Sequence, residues 1–210
     1  GVQVAEVSVA AGDRVVDADG AVVTLAPGVA LRTADGAVVV YEEAVALTLP
    51  QLTVDYVLQP LVWSDGTPVT AGDSVFSFEV AADPATSGAR ARVNRTVSYE
   101  ATGDNSVRWT GLPGFVDANV LDYVWSPLPQ HQLSGFAIAD FATLPETAVQ
   151  PLSSGPFVVT DWQPGELIDM TPNPHYYRQA EGLPYLDRLT FRFLPDDLDP
   201  ENPLATALWQ

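Results

Sequence analysis

The chain has no cysteine and no lysine among its 210 residues, with one methionine and two histidines. Without cysteine there are no disulfides, thiol nucleophiles or zinc–thiolate sites, although this does not fix the compartment. All nine basic residues are arginine, against 27 Asp and Glu, for a formal charge of −18. With that balance and no basic stripe, phosphate backbones repel the chain, so nucleic acid is excluded as a partner. Anionic membrane surfaces are disfavoured for the same reason. No apolar run approaches the ~18 residues of a membrane helix. Val2 to Ala11 lacks a basic start and is interrupted by Glu6, so it does not read as a signal peptide. If the native protein is exported, its targeting segment is absent from this chain.

Several chemistries find no footing. There is no G-x-S-x-G elbow, phosphate loop or dinucleotide fingerprint. Ser153-Ser154-Gly155 has no identifiable base. His131 and His175 are not paired by spacing and read as surface or packing residues rather than metal ligands. Asp17-Ala18-Asp19-Gly20 opens like a calcium loop, but position six is Val22 and no Glu stands at position twelve. Asp196, Asp197, Asp199 and Glu201 supply oxygens enough for calcium, yet read more simply as a solvated acidic linker. No cofactor is implied. Asn94-Arg95-Thr96 is a formal glycosylation sequon that reads as chance.

What the chain does contain is 47% hydrophobic residues, with Pro (18) and Gly (15) spread throughout. That supports an ordered core in one large or two small domains, with short helices. Residues 2–62 read as strands. Two similar hairpins, 15–23 and 31–39, turn at Asp19-Gly20 and Asp35-Gly36, which predicts type I′ turns. Leu52, Val54, Tyr56 and Leu58 alternate as a half-buried strand. A helix is predicted from an N-cap at Thr70, with Asp73 in its first turn and Val75, Phe76 and Val80 on one side, ending at Asp83-Pro84. Hairpins are predicted around 103–105 and 163–165, short helices at 115–122 and 139–148, a strand at 189–193, and the start of a helix at 204–210. The predicted division is a β-rich small domain over 1–125, a Pro-rich crossing segment over 126–155, and a further α+β piece over 156–210.

Trp63-Ser64-Asp65-Gly66-Thr67-Pro68-Val69-Thr70-Ala71-Gly72-Asp73 is the most specific string in the chain. It resembles the W-S-D-G-x-P-V-T-A-x-D stretch of the family 5 extracellular solute-binding proteins of bacterial ABC importers. Later segments follow in the family's order. Ser126 to His131 resembles its Pro-rich stretch, and Ser154-Gly155-Pro156-Phe157 its T-G-P-Y turn. Trp162 to Glu166 with Asn173 to Tyr177 resembles its W-x-P-G hairpin and N-P-x-Y-W motif, and Leu183 to Phe191 its P-Y-L-D strand. The first forty residues match weakly.

The resemblance implies an α+β, β-rich fold: part of a class II periplasmic-binding-protein-like lobe, comprising the family's small extra domain and part of lobe one, without the second lobe. Family members are more than twice this length and close two lobes on a ligand. The implied function is non-enzymatic capture of a small-molecule or peptide solute outside the cytoplasmic membrane, with delivery to an ABC permease. Trp63, Asp65, Gly66, Thr70 and Asp73 read as scaffold, because turns and caps already account for them. Tyr123, Trp125, Ser154 and Gly155 are the candidate ligand contacts, aromatic faces being suited to peptide planes; core packing is the competing reading of the two rings. Two rival functions are a structural or protein-interaction β module and a carboxylate-dependent hydrolase.

Overall fold

The computed structural model describes residues 1–43 and 45–193. The predicted helix at 204–210 and the acidic run at 196–201 lie outside the described residues. The chain divides into two compact units, Gly1–Pro60 with Val69–Ala139, and Leu61–Pro68 with Asp140–Gln210. Strand β1 (Val2–Val9) runs antiparallel to β6 (Leu47–Val57). Between them stand two hairpins, β2 (Arg14–Val16) with β3 (Val22–Thr24) and β4 (Ala30–Arg32) with β5 (Val38–Val40). Helix α1 (Ala71–Ala82) and the single turn α2 (Ala91–Asn94) lead into β7 (Thr96–Gly103) and β8 (Ser106–Gly111). The main sheet has the order β1-β6-β8-β7. A further turn, α3 (Gln130–Leu133), closes the first unit. No helix among the described residues is long and apolar enough to cross a membrane.

Alternation along the strands builds the core of the sheet. Leu52 and Val54 of β6 and Val107 and Trp109 of β8 point to one face and are buried, with Val54 opposite Trp109 and Tyr56 opposite Val107. Residues between them face the other way: Asp55 accepts from Arg108 Nε at 2.7 Å and Nη2 at 3.1 Å. Helix α1 covers the buried face. Thr70 and Asp73 form a reciprocal capping box at its start. At its end, the Arg90 guanidinium donates to the carbonyls of Ala81, Ala82 and Asp83. The side turned to the core carries Ala71, Val75, Phe78 and Ala81, a period near 3.6. The predicted trio was Val75, Phe76 and Val80; Phe76 is buried outside this cluster, and Phe78 takes the place assigned to Val80.

The two hairpins have their own core, Val9, Val15, Leu25, Leu31, Tyr41 and Leu49. Their turns differ from the prediction. A type I′ turn needs positive φ at both central residues, but only Gly20 and Gly36 are positive, at 87° each. Each hairpin instead turns at the residue before and closes with glycine as a left-handed bulge, Gly20 N–H donating to the Asp17 carbonyl and Asp17 N–H to that of Ala21. The deciding group is a side chain: Asp17 Oδ1 accepts from the N–H groups of both Asp19 and Ala21. In the second hairpin Asp35 accepts from Thr33 Oγ1 and Ala37 N–H.

The second unit holds the single turn α4 (Pro145–Ala148) and the antiparallel strands β9 (Phe157–Gln163), β10 (Leu167–Pro172) and β11 (Leu189–Arg192), in the order β11-β10-β9. It also claims residues 61–68, which the sequence places with the first module, and the division after Ala139 falls inside the predicted crossing segment.

Gly114 tests the join between hairpin and sheet. Its φ is +85°, and a Cβ there would lie 2.4 Å from the Val16 carbonyl oxygen. Gly114→Ala is expected to lower stability by about 2–4 kcal/mol, measured as a lower urea midpoint at unchanged m-value.

Candidate functional site

Tyr123 and Trp125 lie in the first unit, Ser154 and Gly155 in the second. Tyr123 stacks on Trp109 with ring centroids 4.3 Å apart, and its hydroxyl donates to Asp117 Oδ2 at 2.6 Å. Burial first, and then that hydrogen bond, push its phenol well above its usual range, while the same bond helps hold Asp117 below the carboxylate range. Trp125 meets Tyr99 and Phe78 edge to face at 4.8 and 4.9 Å. A buried chain of hydrogen bonds fixes its backbone. Ser74 Oγ donates to the Trp125 carbonyl, so the proton between Ser74 and Tyr99 comes from the Tyr99 hydroxyl, and that oxygen in turn accepts the Trp125 N–H. Both rings are therefore largely engaged in packing: Tyr123 is 5% and Trp125 6% exposed.

In the second unit three turns converge. Trp63-Ser64-Asp65-Gly66-Thr67 closes on itself, with Gly66 at φ +91° and Asp65 Oδ1 accepting the Thr67 N–H. Ser64 Oγ accepts from the Ser153 N–H, 89 residues on. Asn173, 1% exposed, holds the rest: its Nδ2 donates to the Ser153 and Gly155 carbonyls, its Oδ1 accepts the His175 N–H, and its own N–H donates to the Pro156 carbonyl. The half-buried Ser154-Gly155 segment is thus a pinned loop. Its organiser, Asn173, was legible in the sequence only as part of the Asn-Pro-x-Tyr string. His175 sits against Gly66, its ring 3.6 Å from the place a Cβ would occupy there. His131 belongs to the other unit. Among the described residues no three His, Asp or Glu side chains converge as a metal would require.

Among the described residues, the carboxylates with displaced pKa values, Asp35, Asp55, Asp117, Asp169 and Glu181, are all displaced downward. Hydrogen bonds to Thr33, Arg108, Tyr123, Arg188 and Arg178 respectively are the leading causes. This is the mark of structural pairing, the opposite of the raised value a general acid requires.

The family model for bacterial extracellular solute-binding proteins, family 5 Middle, matches residues 47–206. The chain belongs to this family. AppA, an oligopeptide-binding protein of Bacillus subtilis (strain 168), is 33% identical over 135 residues, which is 63% of this chain and 24% of that protein. The chain thus corresponds to about a quarter of the length of that curated relative. The structure of AppA from Bacillus subtilis in complex with a nonapeptide matches with a TM-score of 0.57 at 26% identity, covering 87% of this chain and 33% of that one. NikZ from Campylobacter jejuni in complex with Ni(L-His) matches with a TM-score of 0.58, covering 97% of this chain and 35% of that one; at 20% identity it speaks for the fold alone. The architecture is accordingly a strand-rich part of a periplasmic-binding-protein lobe. The family 5 match begins at the first residue of β6, so the paired hairpins precede the matched segment.

Two measurements test the second unit. Asn173→Ala leaves buried carbonyls unpaired and is expected to destabilise by about 2–4 kcal/mol, with hydrogen exchange rising at Gly155 and His175 first. Asp169 of β10, bonded to Arg188 and Thr190, has a folded pKa below the usual 3.8. Its contribution is whole above that value and fades as pH falls through the lower folded one. Asp169→Asn is therefore expected to remove part of the stability loss below about pH 4, read from urea midpoints against pH.

Proposed function

We propose that the protein carrying this chain is the substrate-binding component of an ABC importer. It captures a peptide-like solute outside the cytoplasmic membrane and hands it to a permease without transforming it. The observation that carries this reading is the family 5 match over residues 47–206, reinforced by the identity to an oligopeptide-binding protein. In the whole receptor, lobes close on the solute and open to release it, so the enclosing surface comes from more than these residues. The pinned Ser154-Gly155 loop of the second unit contributes backbone and hydroxyl contacts to the solute, while Tyr123 and Trp125 act within the first unit, mainly through packing. Neither a hydrolase nor a purely structural module gains an observation of its own.

The test uses the natural full-length protein. A peptide present at a hundred times its Kd should stabilise it by about 2.7 kcal/mol, seen as a higher melting temperature. Disrupting the gene should abolish uptake of the labelled peptide. Unchanged melting across peptide, sugar and metal–chelate panels, with unchanged uptake, would sink the reading.

A further inference from the structure

The arginines are unevenly placed. Arg108, Arg178 and Arg188 form ion pairs with Asp55, Glu181 and Asp169. Four others gather at α2 and donate to neutral backbone carbonyls: Arg14 to Asn94, Arg90 to the end of α1, Arg92 to Val124 at 2.8 Å, and Arg95 to Gly20 at 2.9 Å. A carbonyl satisfies a donor but does not neutralise a charge. In a chain of charge −18 this is a concentrated island of arginines.

Within that island Arg92 and Arg95 line a shallow cleft of about 270 Å³, together with Ala91, Asp122 and Tyr123. Both guanidinium groups are held on aromatic rings, Arg92 at 4.5 Å from the Trp125 centroid and Arg95 at 5.2 Å from that of Phe115. Each has five N–H donors in a fixed fork, and one nitrogen of each is tethered to a carbonyl. Arg95 Nε is buried without an acceptor. The anchoring pre-organises the pair and removes much of the entropy that long side chains lose on binding. Asp122 is the one carboxylate of the lining, and it is exposed. Asp117, bonded to the lining residue Tyr123 and to the Asn119 N–H, keeps its charge and interacts with that of Arg95, so part of the Arg95 charge is met from this side.

We propose that this cleft binds a small α-amino acid zwitterion, with the carboxylate between Arg92 and Arg95 and the ammonium on Asp122. A bare anion would meet Asp122 uncompensated, and a bare cation would meet two guanidinium groups. A zwitterion satisfies both signs. The volume lies below the ~300–1,000 Å³ of pockets for drug-sized ligands and suits a molecule of amino-acid size. The site belongs to the first unit alone and does not depend on the transport reading; peptide uptake could fail and leave it standing.

The test is a ¹⁵N NMR titration of the whole 210-residue chain with L-alanine, succinate and methylamine as separate probes. L-Alanine should shift the amides of 91–95 and 120–123 at millimolar concentration, with the other two probes about tenfold weaker, a difference of ~1.4 kcal/mol. Arg92→Gln should weaken L-alanine about tenfold. Asp122→Asn, an exposed change that leaves the core intact, should weaken L-alanine about fivefold and leave succinate equal or tighter. The proposal is overturned if L-alanine produces no localised shifts, if succinate binds as tightly as L-alanine, or if Asp122→Asn weakens both probes alike.

Discussion

The first unit is organised around one fully buried side chain. Trp109 of β8 stacks on Tyr123, meets Phe115 edge to face, and donates its indole N–H to Thr96 Oγ1 at 2.8 Å. A chain of ordinary donors and acceptors thereby ties the centre of the sheet to the end of α2, since Thr96 donates in turn to the Arg92 carbonyl. The ring also dictates its neighbour: a Cβ at Gly111 would stand 2.6 Å from the indole. Aromatic burial of this size supplies the driving force, and the single polar atom of the indole is satisfied, so no desolvation penalty remains to offset it. Placing arginines over Trp125 and Phe115 extends the same cluster to the surface, where packing and charge meet.

The second unit depends on a polar device instead. Asn173 is almost wholly buried and uses its amide on both sides, donating to two carbonyls and accepting one N–H. A buried amide so engaged fixes loop geometry more sharply than an apolar side chain could, because each bond has a direction. The result is a loop at 153–156 whose backbone is pinned from two sides. Nearby, Asp169 faces Asp161 across the strand pair, and Arg188 supplies the compensating charge.

The conspicuous motifs of the family-matched segment are caps, turns and ion pairs that hold a scaffold. The paired hairpins, preceding the family-matched segment, are attached by their own apolar core and by backbone bonds such as Val16 N–H to the Pro113 carbonyl.

Much of this was legible in the sequence, for local reasons. The strand alternation at 52–56, the hairpin around 103–105, the Thr70–Asp73 cap and the 163–165 hairpin follow from period, capping chemistry and glycine placement, all set within a few residues. The solute-binding family was legible too, because its motifs are turns and caps whose spacing survives divergence. Other features required the tertiary structure. The turn type at Asp19-Gly20 was decided by the Asp17 side chain competing for backbone donors. The membership of 61–68 in the second unit was decided by Ser64 accepting from Ser153, 89 residues away. The burial of Tyr123 and Trp125 was decided by rings brought together from α1, β7 and β8. The cleft at Arg92, Arg95 and Asp122 likewise joins residues 27 to 30 apart in sequence. The sequence by itself determined most strands, the capped helix and the family, although the helices predicted at 115–122 and 139–148 are only short turns at 120–123, 138–140 and 145–148; only the folded chain decided which side chains meet, because long-range contacts leave no periodic trace in the residues that make them.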